Sequence, residues 1–185
     1  VFDMEYLDNY VAHAPIENHT ATAVMEGDVM KIWASTQTPY PARADVAEML
    51  GVHEEKVHIQ QIFLGGGFGG KIYNQQVLEV ARLVKITGGK PIQLAWTRRE
   101  EFHYDRLRPA AVVKIKSGID DSGKITLWDY DVFFAGGRGA RQYYNVPNHR
   151  TVTSSTERGE PDAHMFHTGA WRAPAHNTNT FARES

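Results

Sequence analysis

Leu64-Gly65-Gly66-Gly67-Phe68-Gly69-Gly70-Lys71 holds five glycines in eight residues. It lies between an extended stretch, Val57 to Phe63, and a helix-like one, Asn74 to Lys85. Glycine forgoes side-chain contacts and loses the most backbone freedom on folding. A cluster of it therefore marks backbone that passes close to something or takes a positive φ. Phe68 in the middle argues against a loose linker: a large ring on permissive backbone reads as a wall beside a bound group.

Regular structure is legible on both sides of this run. Upstream, Thr20–Val24 and Val29–Trp33 flank Glu26-Gly27-Asp28 and predict a hairpin. Residues 41–50 predict a helix, with Pro41 in the first turn, Val46, Met49 and Leu50 on one face and Gly51 as C-cap. Downstream, Val77, Val80, Ala81 and Val84 recur at helical spacing in Asn74–Lys85, which ends near Gly88-Gly89. Pro91–Thr97 reads as a strand. Val112–Ile119 and Ile125–Phe134 form a second hairpin around Asp120-Asp121-Ser122-Gly123. From Ala135 onward Gly, Pro, Asn, Thr and His dominate, which predicts loop-rich, extended structure. The class is α+β: antiparallel β hairpins packed with two or three helices.

The 185 residues carry 42% hydrophobic and 23% charged side chains, ordinary values for a globular protein. A net charge of -2 gives no electrostatic case for nucleic acid. No apolar run approaches the roughly 20 residues of a membrane helix. Cysteine is absent, which excludes disulfides, thiolate nucleophiles and iron–sulfur ligation within these residues. It fits cytoplasm and periplasm equally. Val1 opens directly on an extended segment, and Thr180–Ser185 stops in mid-pattern. Residues 1–185 are thus expected to be a single piece of a larger domain, cut at both ends.

The glycine run supports three readings. Gly65, Gly67 and Gly70 satisfy G-x-G-x-x-G between a strand and a helix, the pattern of a dinucleotide-binding turn. That pattern also wants an acid closing the next strand, about 20 residues on. Here the next strand ends at Thr97-Arg98-Arg99-Glu100-Glu101, too late for a tight unit, and bulky Phe68 stands where small residues are usual. A plainer reading makes the glycines a packing turn and Phe68 a core side chain.

The third reading rests on resemblance. Gly65-Gly66-Gly67-Phe68-Gly69-Gly70-Lys71 resembles the glycine loop of the molybdenum hydroxylases, the family of xanthine dehydrogenase, aldehyde oxidoreductase and carbon monoxide dehydrogenase. Three further segments agree in order: Ala12–Ala23 resembles the opening of the molybdopterin-binding part, Trp33-Ala34-Ser35-Thr36-Gln37-Thr38-Pro39 its Ser-Thr-Gln segment, and Gly169-Ala170-Trp171-Arg172-Ala173-Pro174 its later arginine loop. Trp171-Arg172-Ala173-Pro174-Ala175-His176-Asn177 looks closest to the isoquinoline 1-oxidoreductase-like branch.

The resemblance implies a molybdenum held by a pterin dithiolene rather than by protein side chains, with the cofactor supplying the hard chemistry. The reaction it implies is hydroxylation of an aldehyde or N-heterocycle with water as oxygen source. Gln37 matches the amide that hydrogen-bonds a molybdenum oxo ligand, a neutral donor. Phe68 and Gly69 match the pair lining the metal, with the Gly69 N–H reaching the apical oxygen. Gly66, Gly67 and Gly70 shape the turn. Arg172 matches the arginine near substrate or pterin, and Ala173 a small neighbour giving access to the metal. Gln37, Phe68 and Arg172 are then expected on one cavity rim. Ile72 stands where xanthine-oxidising members carry an acid, which favours a less polar substrate. No catalytic residue is expected here: the family's glutamate base lies beyond Ser185, and Glu184 reads as a helix start or structural contact. The resemblance further implies a cytosine dinucleotide form of the cofactor, iron–sulfur clusters on a partner domain or subunit, and the remainder of the molybdenum subunit as partner. The other class of reading is a non-catalytic scaffold or subunit-interaction domain.

Other constellations carry less. His164 and His167 lie three apart with no third metal ligand near in sequence. His13 and His19 read as satisfied structural histidines. His176–Asn179 reads as a cofactor contact or a helix cap. Asp45, Glu48, Glu54 and Glu55 read as a solvated helix face. Glu100, Glu101 and Asp105 alternate with Arg98, Arg99, Arg106 and Arg108, which predicts a surface charge network or subunit contact.

Overall fold

A computed structural model describes residues 1–154 and 164–185. In chain order the strands and helices are β1 (Phe2–Asp8), β2 (Val11–Ala12), β3 (Thr20–Glu26), β4 (Val29–Ala34), α1 (Pro39–Leu50), β5 (Val57–Gln61), α2 (Gln75–Ile86), β6 (Ile92–Ala95), α3 (Arg98–Tyr104), β7 (Leu107–Arg108), β8 (Ala111–Ile119), β9 (Ile125–Phe133), β10 (Asn148–Ser154) and α4 (His176–Glu184). They fall into two compact units, one built from 13–105 and one from 1–12 with 106–185.

The continuous unit is a four-stranded sheet in the order β5-β4-β3-β6. Gly27, at φ 62, takes the first position of the two-residue turn between β3 and β4, where a positive φ matches the twist of the strands. Alternation then sends Ala21, Ala23, Met30, Ile32 and Ala34 to one buried face. Ala42, Val46 and Ala47 of α1 and the stripe Val77, Val80, Ala81 and Val84 of α2 complete that core. Gly51, left-handed at φ 69, closes α1 by donating to the carbonyls of Ala47 and Glu48. The expected hairpin, helices and strands of this half are present. The pairing departs from purely antiparallel hairpins: β5 joins β4 in parallel, because α1 carries the chain back to the same end of the sheet.

The discontinuous unit is a second sheet, ordered β1-β8-β9-β10. The β8–β9 hairpin turns at Asp120–Lys124, where Asp120 Oδ1 accepts from the N–H groups of Ser122 and Lys124. Val113, Ile115, Trp128, Tyr130 and Val132 fill its inner face. The outer face is a ladder of alternating charge: Lys116 meets Asp3, Lys114 meets Glu5, and Arg150 bridges Asp129 and Asp131.

Two helices and a strand stand where other structure was expected. The loop-rich tail contains β10 and α4, and its 155–163 portion lies outside the described residues. α4 forms on a sequence of poor helix formers because its buried side chains tie it down: Asn179 Nδ2 donates to the carbonyls of Gly136 and Arg138, and Arg183 to that of Gly139. Glu184 closes this helix rather than starting one, and accepts from Tyr144 Oη at 2.6 Å. α3 occupies the charged stretch after Thr97 and raises the helix count to four among the described residues.

Candidate functional site

Each crowded glycine of the run has an identifiable reason. A Cβ on Gly65 would sit 2.4 Å from Glu17 Cβ, one on Gly67 2.4 Å from Gln37 Oε1, and one on Gly70 2.7 Å from Asp105 Oδ2. Gly66 and Gly69 take φ of 97 and 110. Phe68 is also left-handed, at φ 54, a conformation a bulky residue keeps only where its surroundings impose it. Its ring folds over Gly66, 3.1 Å from where a Cβ would stand, and remains 44% exposed. It is therefore a surface residue and not a core side chain.

Gln37, also exposed, lies against the run. Its main-chain N–H donates to the Lys71 carbonyl at 2.9 Å, and its Oε1 accepts from the Gly69 N–H at 2.9 Å. A backbone N–H needs an acceptor, so this bond fixes the amide's orientation and turns Nε2 the other way. The Gly69 N–H is thus engaged within the chain. Among the described residues, the N–H groups of Gly66, Gly67 and Phe68 have no hydrogen-bond partner.

A lattice of polar side chains joins the Ser35–Thr38 segment to the end of the run. Thr38 Oγ1 donates to the Ile72 carbonyl, Asn74 Nδ2 to Thr38 Oγ1, and Gln76 Nε2 to the Ser35 carbonyl. Glu17 lies beneath. Its Oε2 accepts from Ser35 Oγ, the Gly65 N–H and Lys71 Nζ, each at 2.8 Å. Burial pushes this carboxyl up. The hydrogen bonds from Lys71, Gly65 and Ser35, with the Lys71 charge, outweigh burial and hold it below the usual glutamate value. The Lys71 side chain is fully buried and also donates to the Glu17 carbonyl.

α3 fastens the opening segment. Its capping box pairs Thr97 with Glu100. Glu101, buried rather than part of a surface network, meets His19 Nδ1 at 2.8 Å, and Asp105 meets His13 Nδ1 at 3.1 Å. Arg98 donates to the Pro15 and Ile16 carbonyls. Both histidines are buried structural partners, as their sequence context suggested. Neither Glu17 nor this use of α3 was found from sequence. The capping pattern Thr97-x-x-Glu100 was the available signal for the helix.

Arg172 and Ala173 belong to the discontinuous unit. They sit in the turn before α4, with Arg172 exposed and Ala173 and Ala175 left-handed at φ 53 and 62. Trp171 anchors the turn through its Nε1, which donates to the Ala12 carbonyl, and through the Arg108 guanidinium 5.3 Å from its ring. His164 is engaged with Tyr10 Oη at 3.1 Å. Among the described residues no group of three His, Asp or Glu side chains could hold a metal, and no helix is long and apolar enough to cross a membrane.

The arrangement differs from a dinucleotide-binding unit. α2 begins at Gln75, so its N-terminus is not at the run. β5 and β6 lie on opposite edges of the sheet, and Glu100 caps its own helix. A cavity of about 540 Å³ beside α1, lined by Arg43, Ala47, Val52 and Glu54 among others, includes none of the residues of the run.

Residues 1–158 match the model of a family described as the molybdopterin cofactor-binding domain. The probable hypoxanthine oxidase XdhD of Escherichia coli is 34% identical over 133 residues, which cover 71% of this chain and 14% of that protein. The aldehyde oxidoreductase molybdenum-binding subunit PaoC of Escherichia coli is 32% identical over 129 residues, 70% of this chain and 18% of that one. The chain thus spans less than a fifth of either relative. In fold, the aldehyde oxidoreductase of Desulfovibrio gigas superposes with a TM-score of 0.78 at 22% identity, over 98% of this chain and 21% of that one.

Proposed function

The chain belongs to the molybdopterin cofactor-binding domain family, and from that premise we propose that it forms one wall of the molybdenum site in an oxidoreductase hydroxylating aldehydes or apolar N-heterocycles. The arrangement of Gln37 on the glycine run carries this reading. The run fits the group. Glycines leave room for close approach, and the free N–H groups of Gly66, Gly67 and Phe68 suit an anionic or oxo ligand. The Glu17 carboxylate, the nearby acid, takes three donors on Oε2 and has its charge countered by Lys71.

When bound, the cofactor supplies the redox chemistry that delivers a water-derived oxygen to an electron-poor carbon. The residues of this chain position it and keep the site dry. Gln37 offers Nε2 as a neutral donor, held in direction by Gly69. The half-exposed Phe68 ring excludes water from one side. Gly66, Gly67, Gly69 and Gly70 shape the cradle, and Arg172 and Ala173 are assigned to the substrate or pterin end on their likeness to the family's arginine loop. The general base is assigned to a part of the protein outside these residues, which leaves 1–185 inactive alone.

The relatives' names cover a purine and an aldehyde activity. Ile72, in place of an acid, favours the less polar substrates. A cytosine dinucleotide form of the cofactor, an iron–sulfur partner and kinship with the isoquinoline 1-oxidoreductase-like branch belong to the same proposal. Elemental analysis and fluorescence of the oxidised pterin on the natural full-length protein test it. Near-stoichiometric molybdenum and pterin, with turnover of an aromatic aldehyde or quinoline above that of xanthine, is the expected result. A correctly matured protein without molybdenum would overturn the reading in favour of a scaffold.

A further inference from the structure

We propose that Glu17 is a positioning residue: paired with buried Lys71, its carboxylate fixes both ends of the glycine run and, through Gly69, the direction in which Gln37 presents its amide nitrogen. The proposal rests on the reading of Gln37 given above.

One oxygen gathers the relevant segments. Glu17 Oε2 receives the Gly65 N–H from the start of the run, Lys71 Nζ from its end and Ser35 Oγ from two residues before Gln37. The Glu17 main chain doubles the clasp: its N–H donates to the Gly65 carbonyl at 3.1 Å, and its carbonyl accepts from Lys71 Nζ at 2.8 Å. Glycine is required at 65 because Glu17 occupies the space a Cβ would need. With its ends drawn to one point, the run folds back on itself, which forces Phe68 and Gly69 into left-handed backbone. Lys71 then meets Gln37 through its carbonyl, and Gly69 meets it through its N–H. The path from Glu17 to the Gln37 amide is therefore continuous and made of bonds of 2.8–2.9 Å.

An ion pair whose lysine is fully buried and whose carboxylate is part-buried is a poor device for stability alone, since desolvation offsets much of the attraction. Its gain is direction. A carboxylate taking three donors fixes where each donor points, whereas an apolar pair would hold the segments without orienting them.

The test is made in the natural full-length protein with the variants Glu17→Gln and Glu17→Asp. Residue-resolved hydrogen–deuterium exchange follows the Gly69 amide, whose protection reports its bond to Gln37. In Glu17→Gln it is expected to exchange at least tenfold faster, while amides of the β3–β4 hairpin change less than twofold. Glu17→Asp, which keeps the charge, should recover part of the protection. At unchanged metal content, the electron paramagnetic resonance signal of molybdenum(V) should also shift in Glu17→Gln. Unaltered exchange at Gly69 overturns the proposal, as does a parallel rise at all amides, which would make Glu17 a support of the fold and nothing more. Should Glu17→Gln fail to accumulate, the double variant Glu17→Gln/Lys71→Met, which leaves no buried charge, is read by the same exchange criterion. Absence of molybdenum would end the functional reading, and the exchange result would still decide whether Glu17 orients Gln37.

Discussion

Glu17 and Gln37 were unequally legible, and the difference is physical. Gln37 lies in a short segment whose resemblance gave it a role. Glu17 sits between Ile16 and Asn18 in a stretch without periodicity, and its partners Ser35, Gly65 and Lys71 are remote in sequence. Nothing local distinguishes such a carboxylate from a solvated one. Its environment does have a measurable consequence. The folded-state pKa is lowered, because hydrogen bonds and the facing Lys71 charge prevail over burial. A lowered value stabilises the fold fully above the unfolded pKa, and the contribution is lost as pH falls through the folded one. Glu17→Gln is therefore expected to cost about 2 kcal/mol near neutral pH, the scale of charge-assisted hydrogen bonds lost at a part-buried carboxylate. The gap from wild type should close progressively below the ordinary glutamate range. Urea unfolding of both proteins from about pH 7 to about pH 3 measures it. A gap independent of pH would contradict the assignment.

At the scale of elements, the hairpins and the helices α1 and α2 were legible because hydrophobic period and turn chemistry agree in them. Val77, Val80, Ala81 and Val84 state one helical face, and Gly27 and Gly123 occupy turns that need positive φ. α4 was not legible. Its Asn177-Thr178-Asn179-Thr180 core is a poor helix former, and the helix exists because Asn179 and Arg183 bind loop carbonyls. α3 was hidden by its charges, which looked like surface decoration but reach inward to His13 and His19. Because α3 secures the opening segment, its cap matters beyond its own seven residues. Thr97→Ala removes a side chain that accepts from the Glu100 N–H and is expected to destabilise the fold by about 1 kcal/mol. Exchange of the amides around His13–His19 should rise with it. A shift in the urea midpoint without that local loosening would argue against the fastening role.

For the whole chain, the two units differ in how far apart their pairing partners lie. β3 and β4 are joined by a two-residue turn, whereas Phe2 of β1 pairs with Ser117 of β8, which follows in sequence only after all of 13–105. Closing so long a loop costs more chain entropy before any contact rewards it. Pulse-labelled hydrogen exchange during refolding is accordingly expected to protect the β3–β4 amides before those of β1. Simultaneous protection would contradict this order. On the ribosome the delay becomes a matter of seconds: at ordinary translation speeds β1 precedes completion of β8 by roughly 5–20 s. Throughout that interval it is an unsatisfied strand carrying Phe2 and Met4, open to pairing with any other nascent chain. The ladder acids Asp3 and Glu5, unneeded for cohesion on a wet sheet face, then act as gatekeepers against aggregation until Lys116 and Lys114 arrive to neutralise them.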